Sequence, residues 1–303
     1  MNFRRWRRRL RNRLKQWLVG RDPMIGYRKA AQKSNIDRTL SERADHGARA
    51  RFLREHIVIQ THLPKTGGSA LADGLSGIFG GVHSLDVRMR RNHTWQSLSE
   101  AERRSLHFVS GHFTYGVHWR VDRIPLYVAA IREPVSRAVS GYRYLLATPG
   151  AAEHTIVTGK DFETAWDALD QRDGWQKRNL QARMLMGDRE SEDFTWDELR
   201  NRADDDYFLL IPQPEIGTAL RKLRSAFGLP GIKLNKVNVS PGDDVVPTSE
   251  MRARILAANP IDAQLYEHVT KTFHTRLDKA VSYIASRCLE RLEDSATDRD
   301  KTP

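Results

Sequence analysis

Short apolar runs occupy residues 56–60 (HIVIQ), 106–110 (LHFVS), 125–131 (PLYVAAI), 207–211 (YFLLI) and 233–237 (KLNKV), with more polar stretches of helical character between them. Near-continuous apolar runs are the mark of strands buried on both faces, and strands that alternate with helices predict a mostly parallel sheet covered on both sides. Toward the end of the chain Leu265, Val269, Phe273, Leu277, Val281 and Ile284 recur at steps of three or four. This spacing predicts one long closing helix over residues 260–292, followed by a disordered tail at 293–303. The expected fold class is therefore α/β: a P-loop-like three-layer α/β/α domain with a central mostly parallel sheet, a single domain over 55–292 and a long C-terminal helix.

The first 54 residues do not share this pattern. In residues 1–20, Phe3, Trp6, Leu10, Leu14, Trp17 and Leu18 fall on one helical face with Arg filling the other positions. A helix with Trp on one side and dense positive charge on the other fits an anionic membrane surface. Packing against its own domain, a basic disordered tail and an organelle transit peptide are the other readings of the segment. Residues 21–54 are polar and aperiodic and predict a linker.

Charge refines this division. The net charge is +12, but residues 1–22 hold eight Arg and one Lys against one Asp, which is +8 of it, so the body is only mildly basic and no nucleic-acid partner is expected. Cys288 is the one cysteine, which excludes an intrachain disulfide and a cysteine zinc site. No apolar run reaches the roughly 18 residues of a membrane-spanning helix. The expected location is the cytoplasm of a bacterial cell, peripheral on the inner face of a membrane if residues 1–20 dock there.

The segment most informative about chemistry follows the first apolar run: Pro64-Lys65-Thr66-Gly67-Gly68-Ser69, leading into a helix. Paired glycines let backbone N–H groups close on an anion, the helix N-terminus adds partial positive charge, and Lys65 adds a full one. The triphosphate-binding loop places its lysine after the glycines, whereas here it precedes them. A second segment, IREPVSRAVSGYRYL at residues 131–145, puts Arg132 at a strand end, Pro134 at a helix start and Ser140 eight positions after Arg132. An arginine so placed can hold a phosphate through two parallel hydrogen bonds, with the Ser140 hydroxyl as a further donor.

The first segment resembles the 5'-phosphosulfate loop, and the second the 3'-phosphate motif, of sulfotransferases that use 3'-phosphoadenosine 5'-phosphosulfate (PAPS). Further stretches at residues 110–118 (SGHFTYGVH), 178–187 (RNLQARMLMG), 236–240 (KVNVS) and 261–268 (IDAQLYEH) are similar to the carbohydrate branch that includes heparan sulfate 2-O-sulfotransferase and its bacterial relatives. The resemblance spans about residues 55–273. It implies PAPS as donor, 3'-phosphoadenosine 5'-phosphate as product, a carbohydrate or glycolipid hydroxyl as acceptor, and no metal. Arg132 and Ser140 would then grip the 3'-phosphate, with Arg137 a further motif arginine in a binding or structural role. Lys65 would meet the bridging oxygen, and Thr66, Gly67, Gly68 and Ser69 would cradle the 5'-phosphosulfate.

His112, just past the second predicted strand, matches the Gly-His of the 2-O branch and is the expected general base, with His62 and His83 as substitutes. Asn179 and Arg183, one helical turn apart, are expected beside donor or acceptor, and Lys236 with Asn238 and Ser240 over the nucleotide. Two other functions remain open at this stage. One is a divergent P-loop nucleotide kinase, opposed by the order of lysine and glycines. The other is a non-catalytic membrane-surface protein, opposed by the joint presence of Lys65, Arg132 and His112.

Overall fold

A computed structural model describes residues 48–80, 84–86, 98–120, 122–170, 178–188, 192–230 and 245–299. The basic segment 1–20, His83, the predicted strand 233–237, Lys236, Asn238 and Ser240 lie outside these residues.

Five parallel strands form the sheet: β1 (His56–Thr61), β2 (Ser84–Asp86), β3 (Phe108–Gly111), β4 (Ile124–Ile131) and β5 (Tyr207–Pro212), in the order β2-β3-β1-β4-β5. β1 is buried along its whole length, as its unbroken apolar run requires. Alternate residues feed two cores. Ile57, Ile59, Tyr127, Ala129 and Ile131 face helix α7 (Leu180–Met186) and the first turns of the long helix α11 (Pro260–Arg299). Val58, Leu126, Val128 and Ala130 face α1 (Ala48–Glu55), α2 (Gly68–Leu75), α9 (Ile216–Ala226) and the later turns of α11. This is the three-layer α/β/α arrangement, mixed α/β with a parallel sheet at its centre.

A third cluster joins α4 (Pro134–Leu146) to α5 (His154–Val157), α6 (Phe162–Asp170) and α10 (Ser249–Ala258) through Val135, Tyr142, Leu145, Trp166 and Ile255. Helix α11 also fastens β5, since Arg276 Nη2 donates to the Tyr207 carbonyl at 2.7 Å and Nη1 pairs with Asp204 at 2.9 Å. Two boundaries differ from those expected. The packed body already includes Ala48–Glu55, ahead of the expected start at residue 55, because α1 buries Phe52 and Leu53 despite its three arginines. The closing helix continues through Arg299, beyond the expected end near 292. Among the described residues no helix is long and apolar enough to cross a membrane.

Candidate functional site

The strand order makes the site's position a matter of topology. After β1 the chain turns toward β2 and β3, and after β4 it turns the other way to β5, so loops leave the C-terminal ends of β1 and β4 in opposite directions. The crevice between them is the switch point at which open parallel sheets take ligands. Lys65 follows β1 and Arg132 follows β4.

The loop after β1 is closely held from within. Gly67 takes a left-handed conformation (φ 82°) as the cap of α2, and a Cβ there would meet Ile216 Cδ1 at 2.9 Å. A Cβ on Gly68 would sit 2.5 Å from the His62 ring, so only glycine allows His62 to pack under the helix start. The Gln60 amide, buried in β1, donates to the Gly68 carbonyl at 2.8 Å. Thr66 is fully buried and its hydroxyl donates to the Leu63 carbonyl at 3.0 Å, so it braces the loop, and only its backbone amide is left for the expected cradle. Ser69 lies half-buried in the first turn of α2.

Lys65 is the unusual residue of this loop. Its φ of 65° is left-handed, a conformation that costs a non-glycine residue about 1–2 kcal/mol. Burial, and after it the Arg132 charge, lowers the Lys65 pKa from 10.5 to about 8. Its Nζ rests 4.1 Å from the centre of the half-exposed Tyr144 ring on α4.

Arg132 crosses the crevice, with Nη1 donating to the Lys65 carbonyl at 3.2 Å, while its buried Nε has no hydrogen-bond partner among the described residues. Burial depresses its pKa, Glu133 offsets this in part, and Arg143 and Arg137 depress it further. The neighbouring Glu133 carboxylate is engaged in capping α4, where it accepts from the amides of Val135 at 3.0 Å and Ser136 at 2.7 Å. Among the described residues no carboxylate lies within ion-pair distance of Lys65 or Arg132. Ser140 is half-buried on α4, one turn before Tyr144, and so shares the face that meets Lys65. The structure therefore brings Lys65, Arg132 and Ser140 to one side of α4. Arg143 and Tyr144 join them, two residues that a reading of the motif at steps of three and four from Ser140 identifies.

His112 stands on the other side of β1. The parallel register pairs Thr61 with Gly111, so His62 and His112 leave their strands side by side, with ring centres 4.6 Å apart. His62 N donates to the Gly111 carbonyl at 2.8 Å, and His112 Nδ1 lies 2.6 Å from the His62 carbonyl. A carbonyl only accepts, so Nδ1 carries the proton, and in the neutral form of the ring Nε2 is the acceptor nitrogen. This tautomer suits a general base.

Asn179 and Arg183 do share a face, but it is turned to protein. Asn179 Nδ2 donates to Glu192 Oε1 at 3.3 Å, and Arg183 reaches the same oxygen with Nε at 3.0 Å and Nη2 at 2.7 Å. The Asn179 side-chain Oδ1 accepts from the amides of Ile261 at 3.0 Å and Asp262 at 3.1 Å, which caps α11. Asn179 is thus an anchor between helices, with its side chain committed and only 3% of the residue exposed, which leaves it little to offer the donor or acceptor expected beside it. No family model matches the chain, and no curated protein is significantly similar to it.

Proposed function

We propose that this protein is a sulfotransferase that moves a sulfuryl group from PAPS to a hydroxyl of a carbohydrate or glycoconjugate. The observation that carries this reading is the pair Lys65 and Arg132, two cations without carboxylate partners among the described residues, facing each other across the β1/β4 switch point, with a histidine in the base tautomer on the adjoining strand. Two anionic groups on one nucleotide match two cations on separate loops. The 5'-phosphosulfate suits the amides at Gly67 to Ser69 with Lys65, and the 3'-phosphate suits Arg132 with Ser140.

In this chemistry the acceptor oxygen forms a bond to sulfur as the bond from sulfur to the phosphate oxygen breaks. The acceptor proton passes to His112 Nε2, and 3'-phosphoadenosine 5'-phosphate departs. Lys65 answers the negative charge that grows on the leaving oxygen, in a half-buried setting that strengthens the interaction. The two carbonyl contacts, Arg132 to Lys65 and His112 to His62, hold the groups in place before substrate arrives and reduce reorganisation during transfer. Incubation with PAPS and a panel of hydroxylated glycans, following sulfated product by mass, tests the reading. Product that requires His112 supports it, and absence of transfer to every acceptor together with phosphoryl transfer from ATP contradicts it.

A further inference from the structure

The proposed reading leaves the stretches around Gln181 and Asp262 without a role, although they form the most completely bonded buried polar group near the site. Gln181 is 1% exposed and follows the first residue of α7, and Asp262, fully buried, lies in the first turn of α11. The Gln181 carboxamide makes a two-way pair with the backbone of Arg132. Its Oε1 accepts from Arg132 N at 2.8 Å, and its Nε2 donates to the Arg132 carbonyl at 2.9 Å. This is the exchange that an antiparallel neighbour would make. It comes one residue past the end of the β4 ladder, whose last paired residues are Val128 toward β1 and Ile131 toward β5.

Asp262 sets the carboxamide's orientation. Its carboxylate accepts from Gln181 Nε2 at 3.3 Å, Gln181 N at 3.2 Å and Ala182 N at 2.8 Å. A carboxylate only accepts, so Nε2 must face Asp262 and Oε1 must face the Arg132 amide. Burial raises the Asp262 pKa, and the charge of Arg137, itself 1% exposed and without a hydrogen-bond partner among the described residues, offsets this in part. The backbone of Arg132 is therefore clamped on both sides by one carboxamide that the core itself orients.

We infer that Gln181, oriented by Asp262, is a positioning residue that aims the Arg132 side chain at the 3'-phosphate of the donor nucleotide. This rests on the proposed donor. It makes the joint between α7 and α11 part of the nucleotide site.

The test is a double-variant cycle read as the ratio of affinities for 3'-phosphoadenosine 5'-phosphate and 5'-AMP, measured by calorimetry on the full chain, with thermal melts to establish folding. Wild type should prefer the 3'-phosphorylated nucleotide, Arg132→Ala should lose that preference, and Gln181→Leu should lose about tenfold of it with 5'-AMP affinity unchanged. In the Arg132→Ala background Gln181→Leu should change nothing further, because its effect passes through Arg132. Gln181→Met, which keeps the length and volume but neither donor nor acceptor, should show the same loss in the same cycle and serves if the leucine variant does not fold. A wild type without the preference overturns the donor reading itself. A wild type with the preference, and a Gln181 variant that keeps it or loses it equally in both backgrounds, overturns the positioning role alone.

Discussion

Strand β4 has an arginine at each end, and the two are used in opposite ways. Arg123, before the strand, donates to the carbonyls of Leu53 at 3.2 Å, His56 at 3.5 Å, Arg103 at 3.2 Å and Leu106. Among the described residues Arg132, after it, makes one side-chain hydrogen bond, to the Lys65 carbonyl, and leaves a buried Nε without a partner. The histidines sit at the same two ends. His56, at the start of β1, has both ring nitrogens occupied, by the Phe52 carbonyl and the Tyr283 hydroxyl, each at 2.8 Å. His112, past the end of β3, is held at Nδ1 by the His62 carbonyl. One end of the sheet satisfies its polar groups for stability, while the other holds cations close together and keeps Lys65 in a strained conformation, a cost that the proposed binding role would account for.

The sharpest way to break this contrast is to exchange the effects of the two arginines. Arg123→Ala should orphan several carbonyls, cost about 2–3 kcal/mol and lower Tm by roughly 5–10 °C, with nucleotide affinity unchanged. Arg132→Ala should do the reverse, weakening 3'-phosphoadenosine 5'-phosphate about 100-fold with little change in Tm. Calorimetry and thermal melts on both variants check this, and equal stability losses would remove the distinction. Next in size, His112→Ala should lower kcat by about 100-fold or more while donor affinity stays within roughly twofold, as steady-state kinetics would measure.

Lys65→Gly isolates the cost of the site. It relieves the left-handed strain and removes an ammonium whose pKa lies near 8 in the folded chain against 10.5 ordinarily, so Tm at neutral pH should rise by roughly 2 °C as nucleotide binding weakens. Between those two values the unfolded chain binds the extra proton, so wild-type stability should increase as pH rises through that window, and the variant should lack the increase. Binding of an anion to protonated Lys65 should also draw in a proton at pH 8–9, visible as a binding enthalpy that depends on the buffer.

The smallest effect belongs to His56, whose pKa burial holds below 6.5. The unfolded chain takes up the proton first, so stability should fall as pH drops below about 6.5. Urea melts at pH 7 and 5.5 should show a smaller fall for His56→Asn than for wild type.

Four strands of the sheet were legible because each is a continuous apolar run, as was the long closing helix from its spacing of three and four. β2 was not, since three residues, Ser84–Asp86, give no period to read. Helix α1 was hidden because Phe52 and Leu53 stand among Arg49, Arg51 and Arg54, and its burial depends on α9 and α11 far along the chain. At the candidate site, the positions of Lys65, Arg132, Ser140 and His112 were legible because glycines, a proline and strand ends place them. The commitment of the Asn179 side chain was not, because its partners are the amides of Ile261 and Asp262, some eighty residues on. Gln181 escaped for the same reason, since a side chain that bonds to backbone leaves no complementary residue type to find.

The proposed donor is tested most directly by calorimetric titration of the purified protein with 3'-phosphoadenosine 5'-phosphate, ATP and 5'-AMP, at pH 7 and in parallel with Arg132→Ala. Wild type should bind the 3'-phosphorylated nucleotide most tightly, and the variant should lose this selectivity. Equal or preferred binding of ATP would contradict the sulfotransferase reading and point to phosphoryl transfer.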